Sequence, residues 1–124
     1  MTITQYIVDK LWEYLVKGRA GWRCEICGSG SSGLHAAHII GRGALWTRHK
    51  LRNGLGLCPI CHVDSKIKAW LIAEAHKKDS KYRWRWRWVQ KQRRIIHRGR
   101  GPDLRNEYRR LRSKEKAALK KAAA

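Results

Sequence analysis

Residues 22–62 read WRCEICGSGSSGLHAAHIIGRGALWTRHKLRNGLGLCPICH. Two Cys-x-x-Cys pairs, Cys24/Cys27 and Cys58/Cys61, close the two ends of this stretch, with 30 residues, Gly28 to Leu57, between them. Zinc takes thiolates tetrahedrally, and two residues between paired cysteines let a tight turn aim both sulfurs at one ion. The spacing therefore predicts a Zn(Cys)4 site, with Gly28 suited to the left-handed turn of a knuckle over Arg23–Gly28. A redox Cys-x-x-Cys would sit in a βαβ pattern, which the flanking residues do not form. The interval leaves room for two short strands, 34–40 and 53–57, joined by a basic loop over 41–52.

Outward from this stretch the chain reads as helices. Ile3, Ile7, Leu11, Tyr14 and Leu15 recur at helical spacing behind Thr2 or Thr4 as N-cap, and Gly18 and Gly21 stop the helix. Pro59 suits a first helical turn, and Ile60, Val63, Ile67, Trp70, Leu71 and Ala75 continue its period. The run KYRWRWRW, residues 81–88, alternates strictly. It predicts a strand with Tyr82, Trp84, Trp86 and Trp88 on one side, either a row packed on the core or a base-stacking platform flanked by phosphate-binding Arg83, Arg85 and Arg87. Gly99, Gly101 and Pro102 mark a linker. A last helix opens at Pro102 or Asp103 with Leu104, Tyr108, Leu111 and Leu119 as a narrow apolar stripe, and 114–124 is expected to fray. The fold class expected is α+β: residues 1–76 as an N-terminal helix plus a zinc-stabilised core, and 77–124 as a basic, mainly helical extension.

Composition narrows the partners. The 124 residues carry 29 Lys+Arg against 9 Asp+Glu, a formal net charge of +20. The excess is uneven: ten Lys/Arg against five Asp/Glu in residues 1–76, nineteen against four in 77–124. Such a balance calls for a polyanion, nucleic acid first and an anionic membrane second. No stretch approaches the roughly 20 apolar residues of a membrane span, and MTITQYIVDKLW lacks the apolar core of a secretory leader. The expectation is a cytoplasmic protein, where close cysteine pairs hold metal rather than disulfides. Phe is absent and seven Trp and four Tyr supply the aromatic bulk, so a core this small needs its metal staple.

Four words in order, WRCEICG, LHAAHIIGRG, TRHKLRNGLGLC and CPICHVD, make residues 22–64 resemble the HNH nuclease family, the ββα-metal fold, and in particular the small HNH proteins of tailed bacteriophages. The resemblance implies a metal-dependent endonuclease that nicks or cuts DNA with low sequence selectivity. Phosphodiester cleavage needs an activated water, neutralised phosphate charge and help for the departing oxygen. A histidine can supply the first and one divalent metal (Mg²⁺, Mn²⁺, Ni²⁺ or Co²⁺) the others. On the resemblance His38 is the general base, His62 a ligand of the catalytic metal, Asn53 the residue that ties down the long loop, and Arg42 a clamp on the scissile phosphate, with Arg48 and Arg52 as lesser phosphate contacts. Many relatives carry Asp or His just before the base, where this chain has Ala37. His35, on the same side of the strand, is the substitute ligand, with His49 and Asp64 as further candidates; Lys50 stands where relatives often have an acid. The resemblance also implies action near phage DNA-packaging proteins such as terminase, in the host cytoplasm. Two other readings stay open: a non-catalytic zinc module that binds nucleic acid, favoured by Ala37, and a membrane-active cationic protein, suggested by the Trp/Arg run alone.

Overall fold

The computed structural model describes residues 2–30, 33–63, 67–97 and 99–123. It is α+β, with a two-stranded antiparallel sheet and, among the described residues, five α-helices. The order is α1 (Gln5–Arg19), β1 (His35–His38), a 3-10 turn at Leu51–Asn53, β2 (Gly54–Leu57), α2 (Pro59–Val63), α3 (Ile67–Ala75), α4 (Arg83–Arg94) and α5 (Leu104–Ala123).

Helix α1 starts where Thr4 Oγ1 accepts the Ile7 N–H at 3.3 Å, a side-chain cap for an otherwise unpaired donor. Its fully buried stripe is Val8, Trp12 and Val16. Ile3, Leu11 and Leu15 pack only partly beside it, and Tyr14 is half exposed. The sequence stripe thus lay one position off the true burial axis.

The sheet pairs His35 with Leu57, Ala36 with Gly56, Ala37 with Leu55 and His38 with Gly54. Paired residues share a face and successive residues alternate. One face, formed by Ala36, His38, Gly54 and Gly56, lies under α1. A Cβ on Gly54 would stand 2.5 Å from Val16 Cγ2, and one on Gly56 2.8 Å from the Ala20 Cβ. Glycine at both positions lets the helix lie directly on the strand backbone. The other face presents Ala37, Leu55 and Leu57 to a second core that includes Cys24, Cys58, Leu71, Tyr82 and Val89.

The 81–88 run is corrected: it is not a strand but the beginning of α4. The Trp86 N–H donates to the Tyr82 carbonyl at 2.9 Å, helical spacing. Tyr82 and Val89 are buried, Trp86 and Trp88 partly so, and Trp84 is 71% exposed. Burial at 82, 86 and 89 follows a 3.6-residue period that two-residue alternation cannot satisfy. Arginine and tryptophan both tolerate a helix, so tertiary packing decides.

Helix α5 opens at Asp103, whose Oδ1 accepts the Arg105 N–H at 2.8 Å, and runs to Ala123 instead of fraying from 114. Its Leu111 fills the core under α1, with Leu104 and Tyr108 beside it. The extension beyond residue 76 therefore supplies core residues to both sides of the sheet. The helix read from Pro59 to Ala75 is described as α2 and α3, and residues 64–66, Asp64 among them, lie outside the described residues. No helix among the described residues is long and apolar enough to cross a membrane.

Candidate metal centre and histidine sites

Each cysteine pair forms the same local turn. The Cys27 N–H donates to Cys24 Sγ at 3.5 Å and the Cys61 N–H to Cys58 Sγ at 3.4 Å. Gly28, at φ +77°, closes the first knuckle with its N–H on the Cys24 carbonyl. Pro59 opens α2 directly after Cys58, so the second knuckle is the helix's first turn. All four sulfurs lie within 4.8 Å of one another. A zinc–sulfur bond of about 2.3 Å implies tetrahedral sulfur–sulfur edges of about 3.8 Å, and Cys27 and Cys58 stand at 3.7 Å. The four cysteines are positioned to bind a metal such as zinc. The thiols respond unequally to their packing. Burial opposes ionisation of Cys24, but backbone donors outweigh it and bring this thiol down to about 6. Burial and the neighbouring sulfurs push Cys61 up to about 12. Only a cation relieves that mutual repulsion and lets all four act as thiolates.

Glu25, inside the first knuckle, fixes it to the rest of the molecule. Its N–H donates to the Gly56 carbonyl at 2.8 Å and its Oε2 accepts the Gly56 N–H at 2.7 Å. Its Oε1 accepts from the Tyr82 hydroxyl at 3.0 Å and from Arg85 at 3.3 Å.

Beside the cluster, His35 and His62 approach to 2.8 Å between their Nδ1 atoms, rings edge to face. Two imidazole nitrogens at that distance either share one proton or turn both lone pairs to a common cation. Both side chains are exposed. Burial and then the neighbouring His35 hold the His62 imidazole below its ordinary value, favouring the neutral form that binds metal.

His38 lies elsewhere. It stacks on the buried Trp12 ring, centroids 4.1 Å apart and 13° from parallel. Strand alternation sets it on the α1 face, opposite His35 and roughly 10 Å along β1 from it. His62 therefore meets His35 on one side of β1, while His38 stacks on Trp12 on the other. Its Nε2 is bonded to the Arg48 carbonyl at 3.0 Å, which fixes the tautomer with the proton on Nε2 and leaves Nδ1 as the basic atom. Burial, more than the Arg48 charge, holds its pKa below the ordinary imidazole value.

The loop that carries this carbonyl is anchored to α1 by Asp9. Arg48 donates to both its oxygens, Nε to Oδ1 at 2.9 Å and Nη2 to Oδ2 at 2.7 Å, while His49 Nε2 reaches Oδ1 at 2.6 Å. Burial would raise the Asp9 pKa, but these donors prevail and hold it below the carboxylate range. Burial keeps His49 down despite Asp9. The pair is thus a carboxylate accepting from a neutral imidazole. At the loop's other end Asn53, fully buried, clasps Ile40: its Oδ1 accepts the Ile40 N–H at 2.7 Å and its Nδ2 donates to the Ile40 carbonyl at 2.9 Å.

The arginines named from sequence divide. Arg48 and Arg85 are committed to Asp9 and Glu25. Arg83 caps the end of α3 through the Ala75 and Lys77 carbonyls. These three hold the fold rather than present free cations. Arg42 and Arg52 are exposed, and Arg87 lies over the exposed Trp84 ring at 5.1 Å. His49 is 2% exposed and Ala37 1%, so neither can reach a metal at the surface. Lys50 bridges to Glu107. Sequence reasoning missed Asp9, Trp12 and Glu25; an acid within Cys-x-x-Cys, one residue from a ligand, was the available signal for Glu25.

Searches against family models, curated proteins and solved structures return no match to the chain.

Proposed function

We propose that the chain is a metal-dependent endonuclease of the HNH type, acting on DNA, with zinc at the four cysteines and a second divalent cation held by His35 and His62. The observation that carries the reading is the hairpin-plus-helix unit β1–β2–α2. It joins a tautomer-locked histidine, a buried asparagine clasping the loop after it, and an exposed pair made by His35 of β1 and His62 of α2, the helix that begins in the second cysteine knuckle. His35 fills the ligand role that Ala37 vacates, and solvent and substrate phosphate complete the coordination of a hard cation. His38 and the histidine pair lie on opposite faces of β1. That strand pairs with β2 alone, and the reading requires a phosphate that lies across its other edge and is met from both faces. The exposed Arg42 and Arg52 supply phosphate contacts, which position a protein without reading bases. The net charge of +20 supplies the attraction to DNA.

The separation of His38 from His62 favours a second reading, a zinc-containing module that binds DNA without cutting it. A supercoiled-plasmid assay decides between them. Under the nuclease reading, protein with Mg²⁺, Mn²⁺, Ni²⁺ or Co²⁺ nicks the plasmid. His38→Ala loses about a hundredfold or more in rate, the scale of general acid–base catalysis, and His62→Ala loses activity by weakening the hold on the second cation, while both retain zinc. DNA retention without nicking under every metal establishes the module.

A further inference from the structure

At the end of α1 the backbone does something costly. Gly21 and Trp22 both adopt left-handed conformations, φ +67° and +59°. The first is ordinary for glycine. The second is a strained position for a bulky side chain, and such strain concentrates at functional sites. It is held by the Trp22 N–H on the Lys17 carbonyl at 3.0 Å. The strain does not serve the core, since the ring is 50% exposed. Tyr14, also 50% exposed, meets it edge to face at 5.6 Å. Together the two rings wall a recess of about 380 Å³ that Leu15, Gly18, Leu51 and Leu119 complete.

The recess is apolar but its borders are cationic. Lys114 lines it as the cation open to a ligand, whereas the Arg19 guanidinium is held by the Leu51 and Gly54 carbonyls at 2.7 and 2.6 Å, and Glu115, also on the lining, is paired with Arg112. Helix α5, which forms one wall, carries eight Lys/Arg and two Glu. A second copy of so cationic a chain is repelled. A partner helix would ask for a run of aliphatic pockets at i, i+4 and i+7, whereas this site offers a single recess, walled by two packed aromatic rings and by Leu15, Leu51, Ala118 and Leu119. Aromatic faces beside phosphate-attracting cations are what an unstacked base and its backbone require.

We propose that the Tyr14/Trp22 recess binds single-stranded DNA, taking one unpaired base against the aromatic rings with its phosphate toward Lys114. The proposal rests on the preceding reading only for the choice of DNA as polyanion. A chain that nicks nothing yet grips single strands through Trp22 refutes cleavage and leaves the recess standing; the converse result does the opposite.

The test uses the zinc-loaded full chain and fluorescence anisotropy with a labelled oligothymidylate and a blunt duplex. For Trp22→Gly, which keeps the backbone conformation and removes the ring, the expected result is an unchanged or higher melting temperature and a single-strand affinity lowered about tenfold relative to duplex. Equal loss of both affinities together with a lower melting temperature means that the ring is structural and overturns the proposal, as does unchanged single-strand binding. Should Trp22→Gly not fold, photocrosslinking of a halogenated oligothymidylate to the wild-type chain decides: adducts on Tyr14 or Trp22 support the recess, and adducts elsewhere only refute it. Oligouridylate bound as tightly as oligothymidylate overturns the assignment to DNA. An acidic amphipathic helical peptide that binds with Trp22-dependent affinity where oligothymidylate does not overturns it in favour of a protein partner.

Discussion

Replacing Gly54 by alanine tests how α1 meets the sheet. The added methyl would stand 2.5 Å from Val16 Cγ2, 2.8 Å from Trp12 Cζ2 and 3.0 Å from Val16 Cγ1. Carbon atoms pack at about 3.5–4.0 Å, so the closest contact overlaps by about 1 Å. Neither neighbour yields easily: Val16 is stiff at χ1, and Trp12 is pinned by its Nε1 on the Lys50 carbonyl at 2.9 Å. Both are buried to 1% exposure or less. Overpacking of this kind costs about 1–3 kcal/mol, and two rigid neighbours set the expectation at about 3 kcal/mol, a fall in melting temperature on the order of 10 °C. Gly18→Ala is the control. It lies in the same helix with nothing within 4 Å of the added carbon, so it should gain about 0.5 kcal/mol through helix propensity. Urea unfolding of the zinc-loaded proteins, followed by far-ultraviolet circular dichroism, measures both. A Gly54→Ala protein as stable as the parent would refute the direct seating of α1 on β2, and with it the opposite-face position of His38.

Two further outcomes follow from the metal centre and the buried histidines. Cys58→Ala should abolish the cooperative thermal transition, as should a chelator on the parent, because the ligand set joins β2, α2 and the first knuckle; calorimetry showing an unchanged transition in either case would contradict a structural zinc. Stability should also fall on acidification from about pH 6.5, the unfolded imidazole value: His38 and His49 have folded pKa values below it, so the unfolded chain binds more protons in that window. His49, which faces Asp9, Arg48, Glu107 and Arg110, carries part of this slope, and His49→Gln should flatten melting temperature against pH at saturating zinc; an identical slope would show that burial of this imidazole does not matter.

The cysteine knuckles were legible because metal geometry imposes spacing directly on sequence: two residues between ligands, glycine after the first pair, proline after the first cysteine of the second. Asn53 stood out only through the resemblance, which implied a residue that ties down the long loop; its clasp on Ile40 lies at the end of that loop. The division between His38 and His62 was not legible. Strand alternation already sets His35 and His38 on opposite faces, but only the contact of His62 with His35 shows which of the two faces His62 joins. The Trp/Arg run misled because two residue types in alternation carry no information about which of them will be buried. The α1 stripe was misjudged because Tyr14 counts as apolar by type, whereas the glycine-faced strand admits only the Val8–Trp12–Val16 row.

Glu25 links chemistry at one end of the molecule to mechanics at the other. It sits between two cysteines of the candidate metal centre, yet its carboxylate accepts from Tyr82 and Arg85, from a segment that holds no cysteine. With an ion on the sulfurs, its loss would slacken the grip on the Arg/Trp helix, so that metal supply would govern how firmly the chain presents its most basic segment.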